Sequence, residues 1–411
     1  MSPHTLRNIR APEAWGYLST HGSTLGADIL IGQPGTGAAD HEDLDGCLDW
    51  QRGLNLIELG TKPVDPLTSG LMSNPGHGTG TASVAVSRGS VTPTGTGGPG
   101  QLTGSASLAT VVPIRAIRSV VRITQGNVAK AVEHARISGC HVVSMCLGGF
   151  PLRALEAAVA RAVQDHIIVV AAAGNCVRIV VWPARYRSVS RLGGTNKNDR
   201  PWKGSSHGQR VDVCAPAEFV WRALRTKPGE VRTLVSGGQG TSFATALTAG
   251  VAALWLGDRR PKLIQSLVGR TVLQEVFRKC LQMTARRPAN WDGNQFGAGI
   301  VDAERLVSSG CGIGPNPAAT PSGRENYRAQ IADVCSSLSS APEQPRAVDG
   351  LMARLQTLRP EDLEFFAHEA LTLLSQDAWL TALGREPQIA AREHSLPILA
   401  PSRLLRSQLG L

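Results

Sequence analysis

The chain has 411 residues, more than one average domain holds, so one large domain of about 300 residues and a smaller region are expected. A hydrophobic fraction of 42% supports a real core, and with aromatic residues at 4% that core must be filled by Ala, Val, Leu, Ile and Gly. The formal charge of +10 comes from 42 Lys and Arg against 32 Asp and Glu. The bases are scattered and read as a solvated surface, and without a basic stripe or stacking motif no nucleic-acid partner is expected.

No run of about 18 uncharged apolar residues occurs, and the opening MSPHTLRNIRAPEAWG has no apolar secretion core. Neither a membrane span nor a secretion signal is expected, which places the chain in the cytoplasm. The eight cysteines, at positions 47, 140, 146, 176, 214, 280, 311 and 335, show no CxxC pair and no metal-ligand spacing. Several flank apolar runs, so buried free thiols are expected rather than disulfides, in keeping with a reducing compartment.

In chain order, Ala27 to Gln33, Leu108 to Ile117, His141 to Leu147 and Ile167 to Ala173 are apolar runs without polar alternation. That pattern predicts strands of a sheet buried on both faces. Between them, Gly126 to Gly139 and Leu152 to Asp165 carry Ala, Val and Leu at helical spacing. The alternation predicts an α/β domain with a mostly parallel sheet, whose ligands gather at the carboxyl ends of the strands. Arg88 to Ser107, rich in Gly, Ser, Thr and Pro, predicts an irregular surface loop. A second such stretch, Ser308 to Gly323, ends the large domain. Glu325 to Leu338 and Pro345 to Leu383 then show helical periodicity, with Pro360-Glu361-Asp362 as a helix start. This tail carries no recognisable chemistry and reads as a packing appendage or a partner-binding helical module.

Three segments do carry chemistry. Ser242, in GGQGTSFATALTAG, follows two glycines and begins an Ala-rich helix pattern. Free N–H groups and the positive end of the helix dipole would surround it, although an isolated GTS is more often an ordinary N-cap. His77, in NPGHGTGTASVAVS, is flanked by small residues and could take a proton from a serine; alone it reads as a surface or capping histidine. Asn175 closes IIVVAAAGN, where a side-chain amide can donate to an oxyanion and where a turn asparagine is equally at home.

In this order and at these spacings the segments resemble the subtilisin family of serine peptidases (peptidase S8), whose chain order is Asp, His, Ser. The resemblance runs from APEAW, near residue 11, to FGAGIVDAERL, near residue 306. It implies an α/β, subtilisin-like three-layer fold with a mostly parallel central sheet in residues 1–308. A linker at 309–324 and a C-terminal helical appendage at 325–411 complete the expected organisation. By the same resemblance Ser242 attacks the scissile carbonyl, His77 acts as base and then acid, and Asn175 with the Ser242 N–H holds the oxyanion. Ser144, Leu147, Gly148 and Gly149, with Ala172, Ala173 and Gly174, would wall the pocket for the residue before the cut. Extended peptide or protein substrates of broad sequence would pair there by their backbone. No cofactor is implied as required. Calcium is common in the family, and no ligand set here matches it beyond the acidic stretch Asp40 to Asp45, more simply read as a solvated loop.

The chain departs from the family where the aspartate of the DTG tripeptide belongs, because it reads ILIGQPGTG and places Gly35 there. Glycine cannot accept the N–H of His77 or stabilise its imidazolium, so a weakened peptidase is expected, or a peptide-binding pseudoprotease. Asp28, Asp40, Glu42, Asp43 and Asp45 lie near in sequence, but none shares the strand-end position. Ala246 or Leu247 stands where the family usually has proline, and Cys146 replaces a small residue in the strand SMCLGG, as a core filler rather than a nucleophile. No prodomain precedes APEAW here, so either unaided folding or an upstream part outside this sequence is the expectation.

Overall fold

A computed structural model describes residues 3–69, 73–89, 102–122, 125–175, 179–267, 272–311, 329–334, 358, 369–374 and 402–409. Its strands are β1 (Leu30–Gly35), β2 (Leu54–Asn55), β3 (Thr110–Arg115), β4 (Val121–Arg122), β5 (Val142–Met145), β6 (Gly148–Gly149), β7 (Ile168–Ala172), β8 (Ser190–Thr195), β9 (Val213–Pro216), β10 (Val220–Ala223) and β11 (Val235–Gly238). The first helices are α1 (Pro3–Asn8), α2 (Ala11–Thr20), α3 (His77–Val86), α4 (Gly126–Ile137), α5 (Arg153–Gln164) and α6 (Thr241–Leu256).

The four apolar runs become β1, β3, β5 and β7, and the two helical patterns become α4 and α5. Seven strands form one sheet in the order β2-β3-β1-β5-β7-β8-β9, every pair parallel. Alternate residues of each strand enter different apolar clusters. Val111, Val142, Ile168 and Val170 face one that holds α2, α3 and α6. Val112, Val143, Val169 and Ala171 face one that holds α4 and α5. This two-sided burial is the physical reason the strands show no polar alternation, and it gives the chain its three layers.

The sheet opens where β1 ends. β1 pairs with β3 from Leu30 to Gly35, but with β5 at Ile31 and Gly32 alone. Beyond Gly32 the two central strands part, and the carboxyl end of β1 borders a crevice of the kind where α/β sheets bind ligands. Helix α6, buried at every residue, packs against β5, β7, β8 and β9 and against α3.

Two expectations change. Of the Gly- and Ser-rich stretch, residues 90–101 lie outside the described residues, but Leu102, Thr103, Ser105 and Ala106 are buried rather than at the surface. Their backbone finds partners inside: Trp15 Nε1 donates to the Ser105 carbonyl (2.9 Å), and the Ser105 hydroxyl donates to that of Leu247 (2.8 Å). The cysteines are not all free, since Cys280 and Cys311 form a disulfide while Cys47, Cys140, Cys146 and Cys214 are buried thiols. The described parts of the tail pack on the large domain, as the packing-appendage alternative has it: Ile331, Val334, Leu371 and Leu374 belong to the cluster that contains Trp182 and Tyr186. The helix start at 360–362 lies outside the described residues.

Polar contacts join the tail to the domain as well. Arg185, almost wholly buried, and Arg210 both pair with Asp333, and Arg185 also donates to the Gln330 carbonyl. Burial lowers Arg185 to about 10. Removing the acid leaves a buried cation short of its partner, so Asp333→Asn should cost about 2 kcal/mol, below the range for fully buried pairs because Asp333 is partly exposed. A thermal melt of the full chain showing an unchanged midpoint would count against this docking.

Candidate active site

The chain leaving β1 is fixed by glycine contacts and one buried acid. Helix α3 begins at His77, and Gly76 before it has a φ of 72°, with an added Cβ only 1.6 Å from the Arg225 carbonyl oxygen. A Cβ on Gly78 would stand 1.9 Å from the Gly37 carbonyl oxygen, so no larger residue lets the helix reach the strand end. Gly78 N donates to Thr36 Oγ1 (3.1 Å), and Thr36 Oγ1 donates to Asp65 Oδ2 (2.7 Å). Asp65 also accepts from Gly76 N and Leu67 N, both at 2.9 Å. This carboxylate ties the Gly35–Gly37 turn to the entry of α3. Sequence reasoning missed it, because an Asp before Pro in a loop has no distinguishing pattern.

Gly35 sits at the crevice edge with space around it. An added Cβ would find one atom within reach, the Gln33 carbonyl oxygen at 4.0 Å. None of the nearby acids fills that space. Asp28 is exposed ahead of β1. Asp40 and Asp45 pair with Arg232, at 2.7 and 2.9 Å. Asp43 accepts from Leu102 N and faces His41. Held this way, Asp40 to Asp45 do not fit a calcium site, since Arg232 already occupies the charge a cation would meet. Among the described residues no group of three His, Cys, Asp or Glu is placed to hold a metal ion.

His77 is half-buried. Among the described residues nothing hydrogen-bonds to its ring nitrogens. Burial, and after it the charge of Arg222, push it down to about 4. Both effects oppose the protonated state that a general base must pass through.

The nucleophile side is better furnished. Gly240 at φ 148° precedes α6, and Ser242 is the second residue of the helix, 7% exposed. Its hydroxyl donates to the Cys146 carbonyl (3.3 Å), while the Cys146 thiol donates to the Ser242 carbonyl (3.1 Å). Burial pushes that thiol up to about 12, which makes Cys146 a neutral clamp between β5 and α6. The resting hydroxyl is directed at backbone, a common state before substrate binds.

Asn175 Oδ1 accepts from Thr241 N and from Thr241 Oγ1, both at 2.9 Å. Because Thr241 N can only donate, the amide orientation is fixed by chemistry and Nδ2 is left as the donor. The N–H of Ser242 has no acceptor among the described residues, as expected in the first turn of a helix. The side-chain donor, Asn175 Nδ2, lies 3.3 Å from where a Cβ on Gly240 would stand, at the start of the helix that carries Ser242.

Of the residues expected to wall the pocket, Ser144, Leu147, Ala172 and Ala173 are buried, leaving Gly148, Gly149 and Gly174 as the accessible ones. Between them stands a side chain that sequence reasoning did not single out. A Cβ on Gly148 would lie 2.7 Å from Val181 Cγ2, and one on Gly174 would lie 3.1 Å from Val181 Cγ1. Val181 N donates to the Ala173 carbonyl (2.8 Å), which fixes the valine between the two glycines.

Comparisons with known proteins bear on the family and the fold. The model of the subtilase family, Peptidase_S8, matches residues 29–299. Thermitase of Thermoactinomyces vulgaris is 32% identical over 62% of this chain and 82% of its own. Subtilisin BL of Lederbergia lenta is 28% identical over 74% and 97%. Among solved structures, MycP1 with its N-terminal propeptide removed aligns with a TM-score of 0.55 at 22% identity, over 76% of this chain and 98% of that one. A protease of Pseudoalteromonas arctica aligns with 0.58 at 23%, over 73% and 94%. At those identities the two structures speak for the fold.

The state of His77 can be measured without any reaction. An NMR titration of its imidazole should show a midpoint near 4, and Arg222→Gln should move it upward by removing the opposing cation. Since the folded value lies below the unfolded value of about 6.5, His77 costs stability as pH falls through 6.5, and the cost levels off near 4. A midpoint near 6.5 in the native chain would contradict this picture of the site.

Proposed function

The chain belongs to the subtilase family of serine endopeptidases, and from that premise we propose that it is a slow endopeptidase acting through Ser242, its rate limited by Gly35. Ser242 passes its hydroxyl proton to His77 as its oxygen attacks the scissile carbonyl. The oxyanion accepts hydrogen bonds from Asn175 Nδ2 and the Ser242 N–H. His77 then gives the proton to the leaving amine, and water repeats the sequence on the acyl-enzyme.

The observation that carries this reading is the pairing of Thr241 with Asn175 Oδ1, which leaves Asn175 Nδ2 as a donor at the start of the helix that carries the nucleophile. Such preorganised donors typically supply about 10²–10³-fold each in kcat and do not depend on a third triad member. What Gly35 removes is support for the imidazolium. In a subtilisin, loss of the equivalent aspartate lowers kcat by about 3 × 10⁴. Against a typical kcat of about 10 s⁻¹, that leaves on the order of one turnover per hour.

A second reading, a pseudoprotease that binds extended peptide without useful turnover, is favoured by the same glycine and by the depressed basicity of His77. The two are separated by prolonged exposure of the full chain to a fluorophosphonate. A slow peptidase is labelled at Ser242, with labelling lost in Ser242→Ala. Absence of label after long incubation favours the pseudoprotease.

Val181 narrows the selectivity expected from the glycine walls alone. Standing between Gly148 and Gly174, it leaves room for a small side chain before the cut. Val181→Gly should therefore shift preference from Ala or Gly toward Leu and Phe at that position, by about tenfold in kcat/KM, the scale of one or two methylenes of pocket. An unchanged profile of cleavage products from a peptide library would show that Val181 does not line the pocket.

A further inference from the structure

The hairpin of β10 and β11 puts Arg222 beside the neighbours of both reacting side chains. A Cβ on Gly80, one helical turn beyond His77, would lie 2.8 Å from Arg222 Cδ. One on Gly238 would lie 2.5 Å from its Nε. Its guanidinium carbon is 5.7 Å from the ring centroid of Phe243, which follows Ser242. Two glycines thus make room for one arginine next to the reaction centre.

This cation has no acidic partner among the described residues. Its hydrogen bond is a long one, from Nη1 to the Ala223 carbonyl at 3.4 Å, and its buried Nε has no acceptor. Arg232 on the same hairpin side is treated differently, held by the carboxylates of Asp40 and Asp45, whereas Arg225 has, among the described residues, only the Asp40 carbonyl, at 3.0 Å. A half-buried guanidinium whose Nε is buried without an acceptor is unfavourable. The side chain is therefore poised for an anion that arrives from outside.

The direction of arrival follows from the chemistry. Asn175 and the Ser242 N–H mark the oxyanion end of the site, while His77 marks the end where the leaving amine must collect its proton. Strand β10, which carries Arg222, packs on the helix that begins with His77, so the guanidinium borders the side of the site where the residues that follow the scissile bond leave. We propose that Arg222 is a specificity-determining residue that recognises a carboxylate carried by the peptide just beyond the scissile bond. An Asp or Glu side chain or a terminal carboxylate supplies that chemistry equally. The proposal rests on the peptide-cleaving reading of the site and adds a selectivity to it. It also links selectivity to rate: a carboxylate on Arg222 cancels the charge that opposes protonation of His77, so the substrate returns part of what Gly35 withholds.

Binding can be tested without turnover, using the full-length Ser242→Ala chain and fluorescent alanine octapeptides that carry Glu or Gln at each position in turn. Both free and amidated C-termini are used. One register should bind the Glu peptide about tenfold more tightly than its Gln counterpart, the scale of one charge-assisted hydrogen bond. Arg222→Gln should erase that difference, and Arg222→Met, which keeps apolar volume, stands in if the first variant folds poorly. A gain confined to free C-termini assigns the carboxylate to the chain end instead of a side chain. No Glu over Gln preference at any position, or a preference that survives loss of Arg222, overturns the proposal. Digestion of a peptide library by the full-length Gly35→Asp chain separates the two layers. Cuts that depend on Ser242 but show no acidic enrichment after the bond refute the Arg222 assignment alone. Glu-selective binding with no Ser242-dependent cuts refutes turnover and leaves Arg222 as a peptide-recognition residue.

Discussion

On the proposed reading, the chemistry of this chain turns on whether His77 can hold a proton for the moment between taking it from Ser242 and handing it to the leaving amine. Burial alone makes that state unfavourable, and the cation of Arg222 adds to the difficulty; together they draw the imidazole down to about 4. A carboxylate opposite the ring would offset both effects, and Gly35 supplies none. Every other part of the site makes sense as machinery built around that proton, with a donor pair for the oxyanion, a clamped nucleophile and a rigid seat for the histidine.

The seat remains intact where the charge is missing. Gly78 admits the start of α3 to within contact of Gly37, Thr36 and Asp65 bind the strand end to the helix entry, and Gly76 takes the left-handed turn that begins α3. Asp65 is fully engaged by three donors and is no substitute for the absent triad member. The space beside Gly35 stays open. Position 35 thus lacks the side chain that the family resemblance implies there, within a scaffold that leaves room for an added Cβ.

Much of this was legible in the sequence. Four buried strands announce themselves as unbroken apolar runs, because both faces of a parallel sheet are covered. The His77, Asn175 and Ser242 segments carry their signal in the small residues that backbone contact requires. β8, reading SRLGGT, was not legible, since its burial comes from packing by neighbours that no local pattern encodes. The Cys280–Cys311 disulfide has no spacing signature across 31 residues. Val181, Asp65 and Arg222 look ordinary in sequence. Each acquires its role from glycines or backbone groups brought beside it by distant parts of the chain, at Gly148 and Gly174, at Thr36 and Gly76, and at Gly80 and Gly238.

The most direct test of this account is the steady-state rate of peptide hydrolysis by Gly35→Asp compared with the native chain, each beside its Ser242→Ala control. The new Cβ meets no atom nearer than 4.0 Å, so the substitution should fold without strain. The account predicts a rise in kcat of about 10³–10⁴-fold, most of what loss of the aspartate removes in a subtilisin, and its abolition by Ser242→Ala. A folded Gly35→Asp chain whose rate equals that of the native protein would contradict it, because some other group would then govern His77.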